Sequence, residues 1–173
     1  MGGSRYSDAD LVEIVTWQIG RRPTISFSVA RECTFGWPAV IISSPFNANG
    51  DPNPNLYYLS CPYLRIALAR LEDAGSIADL QQEIMHNPDL MQNLSDAQAE
   101  HDLEWRRAAG ELAGSFRDDR VNIAGSGKSS HLKCLHAHYA YFLVHPDYEV
   151  GMRISGMFGN NWCDDEACGK WDK

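Results

Sequence analysis

Pro62 divides the chain. A proline has no backbone N–H to give to a sheet ladder, and its φ is preset for the first turn of a helix. A strand must therefore end before it, and a helix can begin at it. The hydrophobic pattern changes at the same point. Before Pro62, residues 24–31 alternate Ile25, Phe27 and Val29 against Thr24, Ser26 and Ser28, which is the period of a half-buried strand. Residues 38–43 (PAVIIS) read as a second, more buried strand, and residues 56–60 (LYYLS) as a third. Between the last two lies PFNANGDPNPN, a loop by composition with a turn signal at Asn49-Gly50. A first helix over 8–19 precedes them. Leu11, Ile14, Val15 and Ile19 share one face, Asp8 or Asp10 is placed to cap it, and Gly20 with Pro23 stops it.

After Pro62 the period is helical. Leu64, Leu68 and Leu71 form one stripe, with Gly75 a natural C-cap. Ser76 starts a helix with Ile77, Leu80 and Ile84 inward, ending before Pro88. Ser95 and Gln98 form a capping-box pattern ahead of a long helix whose seam is Trp105, Ala109, Leu112 and Phe116. Residues 121–130 are a Gly/Ser loop, and 131–144 a further helix. The pattern predicts an α+β fold, with a small, mostly antiparallel sheet in the N-terminal third and a helical remainder. One domain over 1–173 is expected: an N-terminal helix (1–23), the sheet (24–60), a helical part (61–158) and a Cys-containing acidic tail (159–173).

The chain has 173 residues, 44 % hydrophobic and 22 % charged, enough for a core without disulfide staples. Its net charge of −8 argues against nucleic acid or an anionic membrane as partner. Arg21-Arg22 and Arg106-Arg107 are the only adjacent basic pairs, read as solvated surface charge. MGGSRYSDAD has no apolar core of a secretory signal, and Tyr6 stands where a myristoylation motif needs Ser or Thr. No stretch approaches a membrane span. A cytoplasmic location follows, with an unidentified protein or small molecule as partner. There, cysteines serve as core residues, metal ligands or reactive thiols before they serve as disulfides.

Cys33, Cys61, Cys134 and Cys163 each sit where the chain changes direction. Turns let side chains from separate segments converge, and N–H groups at a helix start stabilise a thiolate. Four thiolates suit zinc or an iron–sulfur cluster. There is no C-x-x-C pair, so the fold itself would have to assemble such a site; buried core thiols are the alternative. Cys168 reads as the least suited ligand. His138 lies four residues after Cys134 and His131 three before it, both on its helix face, whereas His136 points elsewhere in a regular helix. The expected metal set is Cys33, Cys61, Cys134 and Cys163 with His136 or His138 nearby. Gly125-Ser126-Gly127-Lys128-Ser129 looks like the end of a P-loop, but Asn122 stands where the first glycine is required, so no nucleotide site is expected. Asp51, Asp118, Asp119 and the run Asp164-Asp165-Glu166 read as solvated carboxylates.

Several elements resemble the DUF501 family of bacterial proteins of unknown function. They are Cys33-Thr34-Phe35-Gly36-Trp37-Pro38, the run Leu56 to Pro62 with Leu64 and Arg70-Leu71-Glu72, Lys133 to His136, and Trp162-Cys163. A second histidine of the family pattern falls at Tyr141, and residues 1–24 and 164–173 lie outside the resemblance. The resemblance implies no activity, but it ties the four cysteines to the family's own motif elements. The leading expectation is a protein that binds an iron–sulfur cluster or zinc through cysteines from separate segments. A thiol enzyme with Cys61 or Cys134 as thiolate and a histidine as base is the second. The third is an interaction module presenting the 95–117 helix, with core cysteines. Whether the protein is an enzyme is left open.

Overall fold

A computed structural model describes residues 6–115, 121–125 and 130–171. The fold is α+β: a three-stranded antiparallel sheet near the N-terminus, followed by helices. The P-loop look-alike from Ser126 to Ser129, Phe116, Asp118, Asp119 and the first five residues lie outside the described residues.

Helix α1 (Asp8–Ile19) is capped by Ser7, whose Oγ accepts from the Asp10 N–H at 3.2 Å, so neither aspartate is the cap. Gly20 closes the helix in the left-handed region, φ 76°. Strands β1 (Phe27–Glu32), β2 (Pro38–Ser43) and β3 (Tyr57–Leu59) follow in sheet order β1-β2-β3. In register, Phe27 faces Ser43 and Val40 faces Leu59. β1 begins later than its alternation suggests. Ser44 N–H still donates to the Ser26 carbonyl, but the next residue is Pro45, which has no N–H to continue the ladder. The β2–β3 loop is organised by Asn47, whose Oδ1 accepts from the N–H groups of Asn49 and Asp51.

Pro62 opens α2 (Pro62–Asp73), with Cys61 as N-cap. Gly75, φ 89°, is the hinge into α3 (Ser76–His86) and caps that helix, while Ala74 ends α2. Asn87 then caps α4 (Pro88–Ala109), accepting from Asp89 and Leu90 N–H at 3.1 Å. The helix runs unbroken through Ser95, so the expected capping box is not a helix start. The Asn87-Pro88 pair supplies a better one, and Leu90, Leu94, Ala97, His101 and Trp105 continue one buried face. The seam stops at Ala109: Leu112 is 60 % exposed in the 3-10 stretch Gly110–Ser115. This face packs inward.

Helix α5 (Leu135–Val144) starts later than predicted, with Cys134 as N-cap in extended backbone. It lies across β3 and packs against α2 and α6 (Glu149–Gly156), a helix the sequence reading leaves out. The core includes fully buried Trp105, Tyr139, Tyr141, Leu64, Leu68 and Leu90. Trp105 donates to the Asn53 carbonyl at 2.7 Å and meets Phe46 at 5.4 Å between ring centroids. Among the described residues no helix is long and apolar enough to cross a membrane. The tail carries a 3-10 turn, Ala167–Lys170, that packs on α2.

Gly151 sets the closeness of α5 and α6. A Cβ there would overlap the Phe142 side chain. Gly151→Ala is expected to cost roughly 1–3 kcal/mol, the usual cost of overpacking, read as a lower urea midpoint with an unchanged m-value. Wild-type stability in this variant would show that the two helices are not in this contact.

Candidate functional site

Helix α5 begins without a side-chain cap, because Cys134 supplies none. The orphan Leu135 N–H is taken instead by Glu72, in the last turn of α2, whose Oε1 accepts it at 2.7 Å. The same oxygen lies 3.1 Å from Nδ1 of His136. That Nδ1 is 3.9 Å from the Cys134 sulfur, and Nε2 of the same ring meets the Arg65 carbonyl at 3.0 Å. Ligand atoms of Glu72, Cys134 and His136 all fall within 4.8 Å of one another, each half-buried. The His136 pKa is raised to about 9, mostly by the Cys134 sulfur, with Glu72 and the Arg65 carbonyl adding and burial opposing.

The sequence-predicted partners are thus rearranged. His136 meets Cys134 because residues 131–134 are extended and the helix begins after them, so regular helical spacing does not apply. His138 is drawn elsewhere. It is fully buried and bonds Tyr148 through Nδ1 at 2.6 Å, and burial pushes its pKa down to about 3. His131 is exposed ahead of the helix.

Cys134 and His136 line a cavity of about 520 Å³. Its floor is apolar, with Ile19, Ile25, Ile41 and Leu59, and Tyr58 and Asn55 add polar groups. Its charged lining is cationic: Arg21 and Arg65, with no carboxylate among the lining residues. At its edge Ala124 holds a left-handed φ of 64°, fixed by the Asn55 Oδ1 that accepts its N–H at 3.2 Å. Such strain persists only where surrounding structure enforces it.

Cys61 stands at the other end of α2. Cys61 is buried at the N-cap, within electrostatic reach of Cys163 and Cys168. Cys168 in turn lies within reach of Cys33 and Cys163. Cys134 lies with Glu72 and His136, and among the described residues no three cysteine sulfurs come within 4.8 Å of one another. Sequence reasoning assigns no role to Glu72; the signal was its place one helical segment after Pro62, at the end that returns toward α5.

A model of the family described as "Protein of unknown function (DUF501)" matches residues 29–155. The chain belongs to the DUF501 family. No curated protein and no solved structure matches it. The DUF501 match contains Cys33, Cys61, Glu72, Cys134 and His136; Cys163 and Cys168 lie beyond it.

A second carboxylate–histidine group of this DUF501 protein, Glu100, Glu104 and His145, is internally paired. Glu104 meets His145 at 3.3 Å and accepts from the Tyr57 hydroxyl, and Glu100 accepts from Tyr141. Beneath it His101 is fully buried. Its Nε2 accepts the Leu56 N–H at 3.2 Å, which requires a neutral ring. Burial lowers its pKa to about 4. In the unfolded chain the ring takes up a proton near pH 6.5, so between pH 6.5 and about 4 the unfolded state binds more protons. Stability therefore falls as pH falls through that window. The His101 contribution lost between pH 7 and pH 4.5 is roughly 2–3 kcal/mol. His101→Gln keeps an acceptor for Leu56 and cannot titrate. Urea midpoints at the two pH values should lie closer together in the variant; an unchanged gap refutes the assignment.

Proposed function

We propose that this protein binds one divalent metal ion of zinc type through Cys134, His136 and Glu72, and that the metal faces a cavity for a small anionic molecule. One observation carries the proposal. The Arg65 carbonyl can only accept, so Nε2 of His136 bears the proton and Nδ1 offers a lone pair. A sulfur, a ring nitrogen and a carboxylate oxygen then converge, and what lies between them is a proton, carried by the Cys134 thiol or by the ring, or a metal. The separations favour the metal. Tetrahedral zinc places sulfur and nitrogen ligands roughly 3.6 Å apart, and nitrogen and oxygen ligands roughly 3.3 Å apart; here they are 3.9 and 3.1 Å. The outer contacts are also those of a ligand set. The other histidine nitrogen is held by a backbone carbonyl, and the carboxylate by a backbone N–H.

Three protein ligands leave zinc a fourth position, and two of the three line the cavity. A metal so held supplies a Lewis acid or an acidified water. Arg21 and Arg65 supply positive charge to hold a carboxylate or phosphate, and the isoleucines an apolar wall. This local sign runs against the net −8 of the chain. All five cysteines are free thiols, which fits a reducing, cytoplasmic setting.

A second reading uses the same atoms without metal: Cys134 as thiolate, His136 as imidazolium and Glu72 as orienting group. The raised His136 pKa favours it. Metal analysis decides between them. Purified protein should retain close to one zinc at this site, take up cobalt with thiolate-to-metal charge-transfer absorbance, and lose both in Cys134→Ser and His136→Ala. Glu72→Gln should weaken the metal at least tenfold. If these variants change neither metal content nor cobalt spectrum, and Cys134 alkylates faster than the other thiols, the thiolate reading replaces the metal.

A further inference from the structure

A second convergence of ligand atoms lies at the far end of α5 and shares no residue with the Cys134 site. Glu100 and Glu104 stand one turn apart on α4, so their side chains lie on one face. His145 is the C-cap of α5. Ligand atoms of the three residues all lie within 4.8 Å of one another, and Nε2 of His145 is 3.3 Å from Oε1 of Glu104. Cys134 and His145, the two caps of α5, are separated by roughly 16 Å at 1.5 Å per residue. The two groups are therefore separate sites and not halves of one two-metal centre.

The side chains are fixed from behind. Tyr57 donates to Oε2 of Glu104 at 3.1 Å, which leaves Oε1 to face His145, and Tyr141 donates to Oε2 of Glu100 at 3.2 Å. Burial raises the pKa of both phenols, so both stay donors. The His145 ring stacks on Tyr141, with centroids 4.1 Å apart and planes 17° apart, and meets Tyr57 edge-on at 5.7 Å. Outer contacts of this kind orient the ligands of a metal.

Two buried nitrogens beside these tyrosines lack a partner. Nε2 of His145 is buried and makes no hydrogen bond, although Oε1 of Glu104 is near. His101, with no exposed surface, lies 6.2 Å from both Tyr57 and Tyr141 between ring centroids. Its Nε2 accepts from Leu56, so its Nδ1 carries the proton, and that N–H has no acceptor either. Buried polar groups left so are costly, and a cation with its waters would answer both. Charge points the same way. Two carboxylates face one histidine, Arg106 on the same helix is taken by Asp102 at 2.7 Å, and the C-terminal end of α5 adds the negative end of its dipole.

The observed spacing suits a metal. Ligand bonds of roughly 2.1 Å put cis nitrogen and oxygen ligands roughly 3.0–3.4 Å apart, and 3.3 Å is found. The donor set is harder than that at Cys134: it has no sulfur, and carboxylates suit manganese.

We propose that Glu100, Glu104 and His145 bind a second divalent metal ion, of manganese type, which fastens the end of α5 to α4.

The test adds manganese chloride to the full chain after dialysis against EDTA and then against buffer. The electron paramagnetic resonance signal of the free aqueous ion, which weakens on binding, should report one saturable site per chain. Glu100 is exposed, and a glutamine there still accepts from Tyr141, so Glu100→Gln should fold and bind manganese at least tenfold more weakly. Glu104→Gln should do the same, and Cys134→Ser should leave the binding unchanged. In NMR spectra the bound ion should broaden the ring protons of His145 ahead of those of His136. Three results overturn the proposal: no saturable manganese binding by the wild type, equal binding by Glu100→Gln and the wild type, or binding lost on Cys134→Ser. Because the residues differ, failure here leaves the Cys134 site standing, and failure there leaves this one.

Discussion

One carboxylate oxygen holds the candidate site together. Glu72 Oε1 accepts the Leu135 N–H and faces His136 Nδ1, so the last turn of α2 and the first turn of α5 meet at a single atom. The N-terminus of α5 gains the anion its dipole and its uncapped N–H call for. Cys134 is thereby left free of capping duty, and its sulfur stays available to His136 and the cavity. A serine or aspartate at the cap position would have closed the helix on itself and left Glu72 no role.

The sequence was legible where local chemistry decides and illegible where side chains from other elements intervene. β2 falls on the predicted residues because Pro38 can open a strand and Pro45 cannot extend one. Helix α2 starts at Pro62 for the same kind of reason. The start of α5 is different. Gln81 Oε1 takes the Leu132 N–H at 2.7 Å and Glu72 takes that of Leu135, so α3 and α2 hold residues 131–134 extended against their helical pattern. No local signal marks these bonds. That one shift separates the two candidate histidines: His136, which regular helical spacing aims away, meets Cys134, and His138 goes to Tyr148. The cysteine turns were legible as turns, yet where the tail returns is set by bonds spanning much of the chain, from Gln18 to Cys168 and from Trp37 to Glu166.

The thiols at the two ends of α2 sit in different surroundings. Cys134 is half-buried, beside a histidine and a carboxylate, on a cavity whose charges are arginines. An incoming anion meets it without crossing a field of like charge, although the chain as a whole is acidic. Cys61 and Cys168 are buried, and burial raises both thiols. A thiol so placed is a poor nucleophile toward solvent.

Helix α2 connects these environments. Cys61 caps its start and Glu72 lies in its last turn, a separation of about 16 Å at 1.5 Å per residue. Between them, the Arg65 carbonyl fixes the His136 ring, and the Arg65 guanidinium donates to the Gln18 carbonyl at 2.9 Å. Gln18 is the residue that bonds Cys168. A displacement of α2 along its axis would therefore move Glu72 against His136 and Cys61 against the tail together. A packed helix of three turns transmits such a displacement as a rigid body, because its own hydrogen bonds and the buried Leu64 and Leu68 resist internal compression. The two ends of α2 are thus joined by a path of bonded atoms that begins at Cys168, passes through Gln18 and Arg65, and ends at His136.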